Sequence, residues 1–163
     1  MVDDLVVSVR DIVGSPGKER PISGKRSVHL RLGETTVDGP MTVTGAVIGL
    51  QNAVRAEFHT GAEAHVSCTR CTTEWDEQIE TDGEQFFGKT PDEDGYMIVE
   101  GSVDVGKPAQ DELALALPAV PLCRPDCRGL CPTCGTDLNT DPCDGHGEEI
   151  ASPFSVLKDL LDS

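Results

Sequence analysis

The chain predicts an α+β fold: mainly antiparallel β-sheet, a few helices and a C-terminal cysteine-rich zinc-knuckle module. Three observations carry that expectation. Val54, Ala56 and Phe58 alternate with Arg55 and Glu57, the period of two that marks a half-buried strand. Helical spacing is confined to two short segments. Five cysteines and a histidine crowd between Cys123 and His146, where the apolar content is too thin for a core of its own.

In chain order, Asp4 to Ile12 is β-branched and weakly alternating, so it reads as an edge strand or a strand plus turn before Gly14-Ser-Pro-Gly17. Lys18, Arg20, Lys25, Arg26 and Arg31 follow, holding five of the 13 basic residues, with His29 among them and only Glu19 opposing. That stretch, with Gly17, Pro21 and Gly24, is either a solvated loop or a local phosphate-touching patch. Met41 to Leu50, Ala53 to Phe58 and Ala62 to Ser67 read as successive antiparallel strands. The last runs straight into Cys68-Thr-Arg-Cys71, after which Trp75 and Ile79 resume the sheet.

From Asp82 to Gly106 the chain is acidic and broken by Pro91 and several glycines, and a loop bearing a short strand is expected. Asp111 to Leu117 is a helix candidate with acidic residues in its first turn and Pro118 after its end. Ser152-Pro153 offers an N-cap followed by proline, and Phe154, Leu157, Leu160 and Leu161 then form one helical stripe. The expected division is a β-rich part, residues 1–117, and a knuckle module with its C-terminal helix, residues 118–163, forming one compact unit.

Composition limits function. Of 163 residues 37% are hydrophobic but only 4% aromatic, so the core is lean. The net charge of −16, from 13 basic against 29 acidic residues, repels a bare phosphate backbone; it either confers solubility alone or suits a basic protein partner. No stretch approaches the ~18 consecutive apolar residues of a membrane span. Met1-Val-Asp-Asp-Leu lacks the basic start of a signal peptide, and a cytoplasmic location with reduced thiols is expected.

Reduced cysteines at this spacing read as metal ligands. Cys131-Pro-Thr-Cys134-Gly135 is a turn that aims two thiolates at one ion, with Pro132 presetting the bend and Gly135 permitting a positive φ. Seven cysteines plus His146 would fill two tetrahedral zinc sites, most simply Cys68/Cys71 with Cys123/Cys127, and Cys131/Cys134 with Cys143/His146. A second partition places Cys123, Cys127, Cys131 and Cys134 on a single ion and leaves Cys68/Cys71 free or redox-active. Spacing alone does not choose between them.

Leu117-Pro-Ala-Val-Pro-Leu122-Cys123, Cys127-Arg-Gly-Leu-Cys131-Pro-Thr-Cys134-Gly135-Thr-Asp-Leu-Asn139 and Cys143 together resemble the bacterial YceD family of large ribosomal RNA subunit accumulation proteins, which has relatives in plastids. Cys68-Thr-Arg-Cys71 and Pro-Phe-x-x-Leu-x-x-Leu at Pro153 to Leu160 extend the resemblance. It implies a non-enzymatic role in synthesis, processing or stability of 23S rRNA, on a large-subunit precursor particle. Acidity then leaves two routes. The chain escorts a basic ribosomal protein, or Lys18 to Arg31 with Arg124 and Arg128 makes limited RNA contacts.

Other classes fit less well. A zinc deaminase also has a Pro-Cys-x-x-Cys turn, but it needs a His-x-Glu before it, and His146-Gly147-Glu148 comes after. A redox-sensing or protein-binding adaptor unrelated to ribosomes is the other reading, centred on Cys68/Cys71. Such thiol pairs work at a helix N-terminus, whereas Thr72-Thr-Glu-Trp-Asp continues in β-favouring alternation. No small-molecule substrate is expected.

Overall fold

The computed structural model describes residues 5–143, so His146 and the helix expected from Ser152 lie outside the described residues. Four long strands form one antiparallel sheet in the order β2-β3-β4-β5: β2 (Glu19–Leu32), β3 (Thr35–Gly49), β4 (Val54–Ser67) and β5 (Glu74–Phe87). Each is joined to the next by a hairpin. Two three-residue strands, β1 (Val6–Ser8) and β6 (Ser102–Asp104), pair separately, and one helix, α1 (Gly106–Ala116), follows.

The pleat decides which residues enter the core. On β4 every second residue from Val54 to Val66 is buried, so the expected Val54/Ala56/Phe58 face is the inner face. It meets Val37, Met41, Val43 and Val47 from β3, Ile79 and Phe87 from β5, and Ala109, Leu113 and Leu117 from the helical segment. Leu5, Val7, Val9 and Ile12 close the same core from the N-terminal segment. Gly83 sits opposite Phe58 on the neighbouring strand, and a Cβ there would lie 2.5 Å from the Phe58 ring. The missing side chain is what lets that ring lie across β5, so a glycine in a strand interior is used for packing.

Several expectations change. Lys18 to Arg31 is neither loop nor single patch, because β2 runs through it. Its Ile22 and Val28 are buried, and Pro21 is tolerated because β2 is an edge strand. The expected break between Phe58 and Ala62 does not occur; His59-Thr60-Gly61 stays in register, and Thr60 is fully buried. β3 begins at Thr35, six residues before Met41. Pro40 has no N–H to give, and the ladder to β4 is interrupted between Thr36 and Thr42, which accommodates it.

The stretch from Asp82 is not loop at its start either, since β5 continues to Phe87 before a loop leads to β6. The helix starts at Gly106, five residues before its expected first residue, and its first turn carries no acidic residue. Pro108 is allowed so early because first-turn N–H groups have no partner within the helix. Asp104 accepts a hydrogen bond from the Gly106 N–H at 2.9 Å and a two-pronged ion pair from Arg26, which ties β2 to the helix start. Asp111 falls inside the helix, where it receives the Tyr96 hydroxyl.

Candidate metal centre

The hairpin between β4 and β5 ends in Cys68-Thr-Arg-Cys71, so the first thiol pair stands at the tip of the sheet. Cys68 N–H donates to Thr73 O at 2.8 Å and Thr72 N–H to Cys68 O at 2.9 Å. The chain then leaves α1 and returns to this tip, where Thr69 N–H donates to Pro121 O at 3.0 Å. That return delivers Cys123 and Cys127. Cys68 Sγ lies 3.8 Å from Cys127 Sγ, and Cys71 Sγ 3.5 Å from Cys123 Sγ.

All four sulfurs lie within 4.8 Å of one another. A disulfide would bring one pair to about 2.05 Å, whereas a tetrahedral ion with metal–sulfur bonds of about 2.3 Å separates its ligands by roughly 3.8 Å. The donor set therefore has the spacing to hold a metal ion. Cys68, Cys71 and Cys127 are buried, with Trp75, Leu122 and Leu130 packed around them, and Cys123 is exposed.

The second group repeats the first. Cys131 N–H donates to Thr136 O at 2.8 Å and Gly135 N–H to Cys131 O at 2.9 Å, the same two bonds in the same order. Thr136 Oγ1 is 3.1 Å from Cys134 Sγ, as Thr73 Oγ1 is 3.2 Å from Cys71 Sγ. The residue after the second cysteine has positive φ in both: Gly135 at 73° and Thr72 at 58°. The shared pattern is Cys-x-x-Cys-x-Thr. Cys143 completes a group of three with Cys131 and Cys134, its Sγ 3.8 Å from that of Cys134.

The geometry thus sorts the described cysteines into Cys68/Cys71/Cys123/Cys127 and Cys131/Cys134/Cys143. Cys123 and Cys127 do not group with Cys131 and Cys134. Local charge suits the first group to a cation. Burial opposes ionising Cys68, but the backbone amides of Cys123, Cys71 and Arg70 outweigh it and bring its thiol down to about 6. Thr73 lowers Cys71, whereas contact with Cys71 and then burial push Cys123 up to about 12. Thiolates side by side repel one another, and a dication would offset that repulsion. In the second group the amides of Cys134 and Thr133 lower Cys131.

Residues to which the sequence assigned no structural role hold the two knuckles together. Asn139 Oδ1 accepts from Arg128 N–H and from Arg124 Nη2, each at 2.8 Å, and its Nδ2 lies 3.5 Å from Cys127 Sγ. Arg70 donates to Cys127 O at 2.8 Å while its own carbonyl accepts from Leu130 N–H at 3.0 Å. The repeated threonine two places after each Cys-x-x-Cys was visible as a pattern. Asn139 and Arg70 stand in the quoted family motifs, but their contacts could not be read from those motifs.

The basic residues do not converge. Lys18 and Arg20 both pair with Asp11, Arg26 with Asp104, and Arg31 Nε reaches Gly33 O at 3.4 Å. Strand pleating sends Arg20 and Arg26 to the inner side of β2 and Lys25 and Arg31 to the outer. Arg124 also lies 3.5 Å from Asp126, and Arg128 is exposed. Among the described residues no helix is long and apolar enough to cross a membrane.

Compared with known proteins, residues 56–161 match the family described as "Large ribosomal RNA subunit accumulation protein YceD". Uncharacterised proteins of Mycobacterium tuberculosis and Mycobacterium bovis are 34% identical over 103 residues, covering 58% of this chain and 49% of theirs. One from Mycobacterium leprae is 33% identical over 103 residues, covering 58% of this chain and 46% of its own. The chain thus spans about half the length of the curated relatives it matches. No solved structure matches it.

Proposed function

The chain belongs to the YceD family, and from that premise we propose that it is a non-enzymatic ribosome-assembly factor that promotes accumulation of 23S rRNA. The family match carries this reading, because it runs from β4 through both cysteine knuckles. The family's description implies a role in accumulation of the large-subunit RNA. The particular step, on a large-subunit precursor particle and through a basic ribosomal protein, is our proposal.

The metal is zinc in this reading. Cys68, Cys71, Cys123 and Cys127 hold one ion; Cys131, Cys134 and Cys143 hold a second, with His146 proposed as fourth ligand outside the described residues. Zinc closed by four protein ligands supplies cross-linking and no open position for chemistry. What the chain's own residues do is positional. The hairpin tip receives the returning segment, Arg70 and Asn139 fasten it, and the outer surfaces of both parts are held in one arrangement.

Charge supports a protein partner over direct RNA contact. Of the basic residues expected to meet phosphate, Lys18, Arg20, Arg26 and Arg124 already pair with carboxylates, which leaves Lys25, Arg31 and Arg128 for any RNA contact. The test is depletion of the protein, followed by sedimentation of ribosomes and mapping of 23S rRNA ends. Reduced large-subunit yield with extended or truncated 23S termini is expected. Normal yield and normal termini would overturn the assignment.

A further inference from the structure

The sheet ends on β5, and from Glu74 to Glu84 no backbone hydrogen bond among the described residues reaches it from the side away from β4. Only beyond that stretch, at Gly88, does the chain fold back to make a bridge with Met97. Eleven residues of open edge extend over about 35 Å. Such an edge is a template for another strand, and proteins blunt it or use it.

Its chemistry is one-sided. β5 carries Glu74, Asp76, Glu77, Glu80, Asp82 and Glu84 and no basic residue. The outer row faces Arg55, His59 and His65 on β4, where Arg55 pairs with Glu84, His59 with Glu80 and Asp82, and His65 with Glu74 and Asp76. Those partners all come from the β4 side, so the far side of β5 presents carboxylates beside backbone groups that pair with nothing among the described residues. On the inner row Ile79 is buried in the core and Trp75 is packed against it.

We propose that the open edge of β5, Glu74 to Glu84, binds an extended polypeptide segment in which lysine or arginine alternates with small or β-branched residues, adding it to the sheet as a fifth strand. Backbone pairing supplies the binding and the carboxylates select a basic sequence. RNA is disfavoured because the edge repels phosphate. A second copy of this chain is disfavoured too. Its own basic edge, β2, commits Arg20 and Arg26 to Asp11 and Asp104 and leaves Lys25 and Arg31 on its outer row, but each copy carries a net charge of −16, which opposes their association. The inference rests on the reading that the partner is a basic protein.

The test uses the full chain saturated with zinc and a fluorescent eleven-residue peptide alternating lysine and threonine. Controls are the same peptide with proline replacing each threonine, which removes half its N–H donors, and a uridine oligonucleotide. Binding that the proline peptide loses at least tenfold, together with slowed hydrogen exchange between Glu74 and Glu84, is expected. A Glu77→Gln/Glu80→Gln variant should bind at least fivefold more weakly. Equal binding of both peptides without slowed exchange, preference for the oligonucleotide, or concentration-dependent protection of the edge in the free protein would overturn the proposal. Absent peptide binding alongside a 23S rRNA defect on depletion would remove this inference alone. Tight binding with normal 23S rRNA would support it and remove only the ribosomal assignment.

Discussion

Thr72 and Gly135 occupy equivalent places in the two knuckles, so exchanging them measures what that place requires. Thr72 is β-branched at φ 58°, a conformation that costs an L-residue about 1–2 kcal/mol. Its exposed side chain makes no hydrogen bond among the described residues. Replacing it with glycine removes that strain but gives the unfolded chain more freedom, worth roughly 0.5–1 kcal/mol in the opposite sense. The Thr72→Gly variant should therefore gain about 0.5–1 kcal/mol, which for a domain of this size is a rise of about 1–4 °C in Tm. A Cβ at Gly135 would meet nothing within 4 Å, so Gly135→Thr introduces backbone strain without a clash and should lose a similar amount. The two sites being in separate turns, the double exchange should return close to the starting Tm. Thermal unfolding followed by circular dichroism under metal-saturated conditions reads all three. A destabilised Thr72→Gly protein with no loss in Gly135→Thr would refute the equivalence of the knuckles.

Asn139→Ala removes the acceptor shared by Arg124 and the Arg128 N–H and the donor to Cys127; zinc affinity of the first cluster should fall about 10–100-fold in chelator competition. Unchanged affinity would show that Asn139 only fills space. Cys68→Ser should reduce bound zinc by one ion per chain and speed hydrogen exchange at Cys123 to Cys127, and an unaltered zinc count and melting profile would dispose of the hairpin-tip clamp. His65 Nδ1 donates to Asp76 Oδ1 at 3.0 Å, and that contact first, with the Glu74 and Asp76 charges, raises its pKa above the usual 6.5. The raised value means that its contribution to stability is fully present below the unfolded pKa and is lost as pH rises through the folded one. An NMR titration should show this, and Asp76→Asn should bring the midpoint back towards 6.5; a midpoint already at or below 6.5 in the unmodified protein would contradict it.

Much of the sheet was legible because burying one face of a strand writes a period of two into the sequence, as Val54, Ala56 and Phe58 do. What obscured the rest was residue chemistry that usually breaks strands. Pro21, Gly24 and four basic side chains in β2 resemble a loop until an edge position excuses the proline and the pleat separates the charges. His59-Thr60-Gly61 resembles a turn, yet its Thr60 is buried in the middle of β4. The helix start was displaced because Asp111 and Glu112 look like first-turn residues, whereas Asp111 is held by Tyr96 within the helix.

For the cysteines, the sequence by itself pointed to metal-ligand chemistry: thiols in short pairs, too closely spaced and too numerous to serve a lean core. Their grouping was a matter for the tertiary structure. Fifty-two residues separate Cys71 from Cys123, and nothing local to either says that the chain returns from α1 to the hairpin tip. Only the antiparallel register that places Cys68 and Cys71 at the end of β4 and β5, and the Pro121 carbonyl that accepts from Thr69, bring the two pairs to one point. Ligand type is encoded residue by residue, whereas ligand partnership depends on where a whole sheet ends.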